Sequence, residues 1–439
     1  MYVSIRDRPG SGRRPGPNAV AARVSTTVVL LGVVSLLTDV SSEMVSSVLP
    51  LYLTAQVGLT MTAYGFLDGV YQGVSAAVRI AGGYAGDRSS RPKWVAAIGY
   101  GVSALSRIAM LPAQGLAAIT TVITADRLGK GLRTAPRDAL IAASSDPAML
   151  GRSFGVHRAL DTAGAALGPL LAFALLAGVP GSYDSIFVVS FAFAAVGLAV
   201  LLLFVPNPLT TTDGRRAGLR RFGRELTSPR LRRPLLAAGL LGLLTVGDGF
   251  LYLTLQDRDG FAARYFPLLY VGTNVAYLLL AVPLGRLADR VGRARVLVGG
   301  HLALLGCYLL AAGPAGGLAA TVVVLLLLGT FYASTDGVLA ALISRLVPAE
   351  LRGSGIAAAQ TVVAAARFVA SLAFGLAWDA TGPGTALVVA AMLLALVVPG
   401  AAWLLRGVEA GADPSAAGTA ADGTDRSPAD RTPDGGVPA

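Results

Sequence analysis

The chain has 439 residues, of which 54% are hydrophobic and only 14% are charged, and its mean hydropathy is +0.65. Soluble domains carry roughly 25% charged residues, so this composition excludes an ordinary water-soluble protein. The net charge of +11 comes mostly from arginine and does not imply nucleic-acid binding. The single cysteine, Cys307, excludes an intrachain disulfide and a cysteine metal cluster. We expect no catalytic residues, no cofactor and no metal ion.

Apolar stretches long enough to cross a lipid bilayer recur along nearly the whole chain. About 20 helical residues cross a hydrocarbon core of about 30 Å, and helices satisfy their own backbone hydrogen bonds there. The pattern predicts an all-α polytopic membrane protein with twelve transmembrane helices in two pseudo-symmetric six-helix bundles. The predicted spans are about 24–51, 62–83, 94–112, 116–142, 154–177, 186–205, 235–255, 265–284, 296–312, 318–344, 354–378 and 385–405.

Lysine and arginine are distributed unequally between the two sides of this predicted topology. The segments on the side of the chain termini hold 26 of the 36 basic residues, whereas the opposite loops hold only Arg258 and Arg264. Because basic loops stay in the cytoplasm, both termini are predicted to be cytoplasmic in a multi-pass plasma-membrane protein. The predicted domains are a disordered tail (1–23), a first bundle (24–205), a basic linker (206–234), a second bundle (235–405) and a disordered tail (406–439).

A nine-residue pattern occurs once in each half, in a short connection between predicted helices. The first copy reads GYAGDRSSR and the second reads GRLADRVGR, at an offset of 202 residues. The pattern resembles the G-x-L-A-D-R-x-G-R signature of major facilitator superfamily transporters, although Ala85 and Ser90 depart from it in the first copy. This resemblance implies a carrier that works by alternating access between two bundles. The cytoplasmic motif residues that it implies are Gly83, Asp87, Arg88, Arg91, Gly285, Asp289, Arg290 and Arg293.

The fourth predicted span carries six charged residues between positions 126 and 138. An ionisable side chain at the centre of a spanning helix costs roughly 2.5 to 3.5 kcal/mol, so it usually faces a cavity or a partner. Arg127 and Lys130 lie near mid-depth and resemble the R-x-x-Q-G motif of the same family, with Lys130 in place of glutamine. We expect these two cations to bind the substrate. Arg137 and Asp138 lie nearer the cytoplasm, where we expect a lock with Asp161 or with the first motif copy.

Two carboxylates in the first predicted span are candidates for proton coupling. Asp39 and Glu43 lie one helical turn apart on one face near mid-depth, where desolvation and like charge favour proton binding. They could instead simply neutralise the cations of the fourth span. In the eleventh span, Gln360 and Arg367 share one face, and Arg367 lies near mid-depth. The predicted substrate-binding residues are therefore Arg127, Lys130, Gln360 and Arg367.

The fifth predicted span contains Gly164, Gly168 and Pro169. These residues resemble the first half of the G-x-x-x-G-P-x-x-G-G motif of proton-coupled exporters, with Ala172 and Phe173 in place of its last two glycines. The sequence predicts proton-coupled secondary transport of a small anionic or zwitterionic solute by a monomer in the lipid bilayer. The alternatives are a multidrug/proton antiporter that exports lipophilic compounds and a transporter-like sensor that binds a solute without moving it.

Overall fold

All regular secondary structure that the computed structural model describes is helical, which confirms the predicted all-α fold. The described residues are 24–86, 92–146, 149–206, 229–347 and 352–408. In chain order the α-helices are α1 (Thr26–Ser46), α2 (Leu49–Leu51), α3 (Met61–Gly86), α4 (Pro92–Ala109), α5 (Gly115–Ala143), α6 (Leu150–Gly178), α7 (Tyr183–Phe204), α8 (Pro229–Gly242), α9 (Asp248–Asp259), α10 (Phe266–Val291), α11 (Arg293–Ala312), α12 (Leu318–Thr335), α13 (Val338–Leu346), α14 (Arg352–Thr381) and α15 (Pro383–Leu405). Both predicted disordered tails, apart from residues 406–408, and residues 207–228 of the predicted linker lie outside the described residues.

Within the described ranges, eight helical segments are long and apolar enough to cross a bilayer, so the chain is a multi-pass membrane protein. They are Thr26–Gln56, Leu150–Gly178, Tyr183–Phe204, Ala263–Val291, Arg293–Ala312, Leu318–Leu346, Gly355–Thr381 and Pro383–Leu405. Three further predicted spans correspond to α3, α4 and α5, each of which is one continuous helix. The six charges of α5 reduce its hydropathy, although its 29 residues are long enough to span.

The predicted seventh span is not one helix. It divides into α8 and α9, and residues 243–247 between them are not helical. The hydroxyl of Tyr308 satisfies part of the freed backbone, because it donates to the carbonyl of Leu244 at 2.9 Å and accepts from the amide of Val246 at 2.8 Å. Backbone groups without helical hydrogen bonds need such hydrogen-bond partners inside a membrane, because lipid supplies none. The break places Asp248 at the first turn of α9.

Two glycines of the predicted fifth-span motif bring α6 against α1. A Cβ atom added at Gly164 would lie 3.0 Å from the Cα of Leu36, and one added at Gly168 would lie 2.8 Å from the carbonyl oxygen of Val40. Small residues at a helix interface permit this close approach of two backbones. The α6 glycines therefore hold in place the helix that carries both predicted proton-coupling residues.

The two halves of the chain contact each other where α3 begins and α14 ends. The carboxylate of Asp379 accepts hydrogen bonds from the backbone amides of Met61 at 3.1 Å and Thr62 at 2.8 Å. This contact satisfies free amides at the start of α3 with a charged acceptor. Close by, the ring of Phe250 packs 4.7 Å from that of Tyr64, measured between centroids. We call this region the Met61 end of the helices.

Replacing Gly168 with alanine should lower the free energy of unfolding by about 1 to 3 kcal/mol, because the added methyl group overpacks the interface with α1. The measurement is thermal unfolding of purified protein, followed by reaction of a thiol dye with Cys307, which is fully buried until the chain unfolds. Gly155 in the same helix has no atom within 4 Å of its would-be Cβ, so Gly155→Ala is the matched control. Equal melting temperatures for the two variants would contradict the packing role of Gly168.

Candidate functional site

Helices α1 and α5 place opposite charges against each other in two successive ion pairs. Oδ1 of Asp39 lies 3.6 Å from Nη2 of Arg133, and Oε1 of Glu43 lies 3.9 Å from Nζ of Lys130. The carboxylates are four residues apart on α1 and the cations are three residues apart on α5, so each set lies on one helix face. We call these two pairs the α1–α5 ladder. Its two carboxylates are the residues predicted to couple protons.

The second pair of the ladder is the more accessible one. The side chains of Lys130 and Glu43 are 36% and 26% exposed, whereas those of Arg133 and Asp39 are 4% and 14% exposed. The guanidinium of Arg133 also lies over the ring of Tyr100, 4.6 Å from its centroid. Cation–π contact and burial therefore hold Arg133 in place, and Lys130 is the more accessible cation of the ladder.

Arg137 lies one turn further along α5, among the residues predicted to form a cytoplasmic lock. Its Nη1 atom lies 3.9 Å from Oδ1 of Asp161 and 3.1 Å from Oγ of Ser35, and its Nη2 atom lies 3.0 Å from Oδ1 of Asp138. Ser35 also donates to Asp161 at 2.9 Å. These contacts connect α1, α5 and α6 at one end of the ladder. Their role as a gate stays a prediction.

Arg127, which was predicted to bind the substrate, is held within a buried charge cluster. Its guanidinium forms an ion pair with Asp126 and lies over the ring of Tyr71, 3.8 Å from the ring centroid. Arg107 reaches the other oxygen of Asp126 at 2.9 Å. All three charged residues are only 3 to 5% exposed. This geometry favours a structural role for Arg127 over the predicted one, because its hydrogen bonds are directed to a buried partner.

Arg367 lies in a different part of the molecule, beside a small cavity where α3, α9, α12 and α14 meet. The polar residues that line this Arg367 cavity are Asp68, Gln72, Thr245, Asp248, Tyr332, Arg367 and Ser371. The residues that line a second small cavity include Tyr71, Arg107 and Arg127. Each has room for water but not for an organic solute. Arg127 and Arg367 therefore do not share a cavity in this conformation, and Gln360 is exposed on α14 and lines neither of them.

The carboxylates of the Arg367 cavity received no role from the sequence. Ser371 donates from Oγ to Oδ2 of Asp68 at 2.5 Å, and Tyr332 donates from its hydroxyl to Oδ1 of Asp248. Acidic residues inside predicted spans were the available signal for Asp68 and Asp248. Nothing in the sequence pattern distinguished the tyrosine or the serine from ordinary membrane-helix residues. In the part of the chain that the structure describes, no group of acidic, histidine or cysteine residues is arranged to hold a metal ion.

The second copy of the nine-residue pattern lies where α10 ends and α11 begins. Gly292 has φ of 104°, a conformation that favours glycine, and it separates the two helices. Arg293 donates to Asp289 at 2.6 Å across one helical turn, while Arg290 is exposed and Gly285 lies within α10. In the first copy, Gly83 lies within α3, and Asp87, Arg88 and Arg91 lie outside the described residues.

Long apolar helices with paired charges in their interior are typical of membrane transport proteins. Residues 31–371 and 259–430 match the family described as Major Facilitator Superfamily. The chain belongs to the Major Facilitator Superfamily, as the short motifs predict. It is accordingly a secondary transporter of a small-molecule substrate.

Relatives and solved structures agree with this assignment. The chain is 30% identical over 365 residues to an uncharacterized MFS-type transporter of Methanocaldococcus jannaschii, covering 81% of this chain and 89% of that protein. It is 29% identical to an uncharacterized protein of Mycobacterium tuberculosis over 285 residues, which are 62% of this chain and 67% of that one. The fold is similar to that of the nucleoside transporter NupG, with a TM-score of 0.75 at 15% identity over 87% of this chain and 99% of that chain. It is also similar to a peptide transporter POT in complex with alafosfalin, with a TM-score of 0.69 at 16% identity over 87% of this chain and 96% of that chain.

Neutralising Asp126 should destabilise the protein far more than neutralising Glu43. Asp126→Asn leaves two buried guanidinium groups without their counter-charge, which costs about 3 to 5 kcal/mol. Glu43→Gln makes the same chemical change in a partly exposed pair and should cost less than about 1 kcal/mol. Thermal unfolding followed by Cys307 labelling measures both. A smaller loss for Asp126→Asn than for Glu43→Gln would show that the buried cluster is not structural.

Proposed function

We propose that this transporter moves a small anionic or zwitterionic solute with proton coupling, by alternating access between two six-helix bundles of a twelve-helix fold. We place it in the plasma membrane as a monomer with both termini cytoplasmic. The observation that carries the proposal is the Glu43–Lys130 pair. It combines an ion-pair distance of 3.9 Å with partial exposure of both side chains, whereas the side chains of the neighbouring Asp39–Arg133 pair are more buried.

The Glu43–Lys130 pair offers a simple exchange between a proton and a solute. When Glu43 is ionised, it neutralises Lys130 and competes with any solute anion for that cation. Protonation of Glu43 removes this competition, so Lys130 becomes available to the solute. Asp39 stands in the same relation to Arg133, one turn away. A proton neutralises the carboxylate and a solute anion neutralises the cation. Binding of the proton therefore favours binding of the anion at the same pair.

The distribution of basic residues supports the proposed orientation. On that topology the Met61 end of the helices faces outside, and contacts such as Asp379 with Thr62 hold the two halves together there. The site would then communicate with the cytoplasm in this conformation. Separation of the halves at the Met61 end, with closure at the opposite end, would expose it to the outside.

Two alternatives remain distinct from this proposal. A multidrug/proton antiporter was suggested by the Gly164, Gly168 and Pro169 motif, but close packing of α6 on α1 accounts for both glycines without export. A solute sensor would bind the same ligands and show no flux. Measurement of flux together with binding separates all three functions.

Replacing either ladder carboxylate with its amide should abolish proton movement while leaving solute exchange intact, because the amide cannot release a proton. Asp39→Asn and Glu43→Gln are reconstituted in proteoliposomes that contain a pH-sensitive dye, with a solute first identified by a thermal-shift screen. Asp184→Asn, at the exposed start of α7, is the matched control. Proton flux that is unchanged in both ladder variants would end the coupling proposal.

Lys130→Gln should weaken binding of every transported anion by roughly tenfold, which corresponds to about 1.4 kcal/mol. The reason is loss of the accessible cation of the ladder. The half-saturating solute concentration in the thermal-shift assay measures the effect. Arg158→Gln removes a cation whose side chain is 77% exposed on α6 and serves as the control. Equal anion binding by Lys130→Gln and the parent protein would remove Lys130 from the site.

A further inference from the structure

The Arg367 cavity differs from the α1–α5 ladder in its balance of charge. Among the described residues that line it, two are carboxylates, Asp68 on α3 and Asp248 on α9, and one is a guanidinium, Arg367 on α14. In the ladder each carboxylate has its own cation within 4 Å. Around this cavity the ionised groups leave an excess of one negative charge in a partly buried setting. Such an excess is costly unless a cation or a proton joins it.

The polar groups of the cavity have unused hydrogen-bonding capacity. From the described residues, Asp68 accepts one hydrogen bond, from Ser371, and Asp248 accepts one, from Tyr332. An ionised carboxylate has about four acceptor sites. The Nε atom of Arg367 is buried without a hydrogen-bond partner among the described residues. Among the described residues, the two carboxylates therefore retain acceptor sites without a partner, and the guanidinium retains a donor without a partner.

The broken helix between α8 and α9 brings the two carboxylates together. Gly247 ends the non-helical segment, and a Cβ atom added there would lie 3.0 Å from Cγ of Asp68. The next residue is Asp248. Asp68 belongs to the first half of the chain, whereas Asp248 and Arg367 belong to the second half. A ligand that contacts all three side chains would thus bridge the two halves, which move relative to each other in the proposed transport cycle.

From this arrangement we infer that Asp68 and Asp248 bind an ammonium group of the transported solute, while Arg367 binds its carboxylate, in a conformation in which movement of the two halves has widened the cavity beyond its present room for water. An ammonium group brings three donors and a positive charge, and a carboxylate brings acceptors that suit a guanidinium. The substrate class is therefore a small zwitterionic amino acid or a similar amino-bearing acid. This inference rests on the proposed transport function, narrows its substrate from anionic or zwitterionic to zwitterionic, and adds Arg367 to Lys130 as a cation that binds its carboxylate.

A matched set of three-carbon probes tests the amine site. The probes are 3-aminopropionate, n-propylamine and propionate, which carry both charged groups, the amine alone and the acid alone. Each is added to the purified full chain, and thermal unfolding is followed by labelling of Cys307. We expect the greatest protection from 3-aminopropionate, less from n-propylamine and least from propionate. Protection by propionate that equals or exceeds that by n-propylamine, or no protection by any probe, would overturn the inference.

Variants of the two carboxylates identify the site. Asp68→Asn and Asp248→Asn should each raise the half-saturating concentration of 3-aminopropionate by about tenfold or more. Asp248→Glu, which keeps the charge, should recover part of the affinity, and Asp184→Asn should not change it. Unchanged affinity in both amide variants would overturn the inference. If these variants fail to fold, the ranking of the three probes on the parent protein still tests the inference.

The same measurements separate this inference from the proposed function. If propionate alone protects the protein and Lys130→Gln loses this protection, the amine site is eliminated and the proposal of proton-coupled anion transport is retained. Protection by amines with no proton flux in proteoliposomes would retain the amine site and eliminate proton coupling.

Discussion

The structure depends on one constraint: charged side chains buried between membrane helices need partners, because lipid supplies none. Helix α5 carries six charges, and α1 meets three of them with Asp39, Glu43 and Ser35. The pairing works only if α1 and α5 keep one rotation and one register, since a shift of one residue would turn the carboxylates away from the cations. The glycines of α6 hold α1 in position, because they let the backbones of α1 and α6 approach closely. Packing and electrostatics therefore specify the same helix arrangement.

The cations differ in how completely they are paired, and this difference distinguishes structural cations from candidate ligand-binding cations. Arg127 and Arg133 are almost fully buried, each has a carboxylate partner, and each lies over an aromatic ring. Lys130 has a distant partner and is partly exposed. Arg367 has two acidic neighbours around a cavity but a buried Nε without a partner in the described part of the chain. A group whose interactions are already satisfied contributes stability and gains little from a ligand, whereas an incompletely paired group has binding capacity left. Lys130 and Arg367 are the groups with such capacity.

Breaking a helix at the cavity gives the chain a feature that a continuous span would not provide. The non-helical residues 243–247 let Gly247 approach Asp68 and set Asp248 at the start of a new helix. Tyr308 compensates for the lost helical hydrogen bonds. Asp68 and Arg367 come from different halves of the chain, so the binding of a solute to both residues would depend on the relative position of the halves. This is the physical link between ligand binding and alternating access in the proposed cycle.

The sequence by itself determined that the chain is a helical membrane protein, that it carries a duplicated motif of the Major Facilitator Superfamily, and that charges cluster in the fourth predicted span. These properties are local, since hydropathy, loop charge and short motifs can be counted along the chain. Only the tertiary structure decided which charges meet: Glu43 with Lys130, Asp39 with Arg133, and Arg127 with its own neighbour Asp126. It also revealed the broken seventh span and the acidic surroundings of Arg367. Such pairings depend on helix rotation and on contacts between segments as far apart in the sequence as Asp68 and Ser371. Sequence patterns contain no information on either.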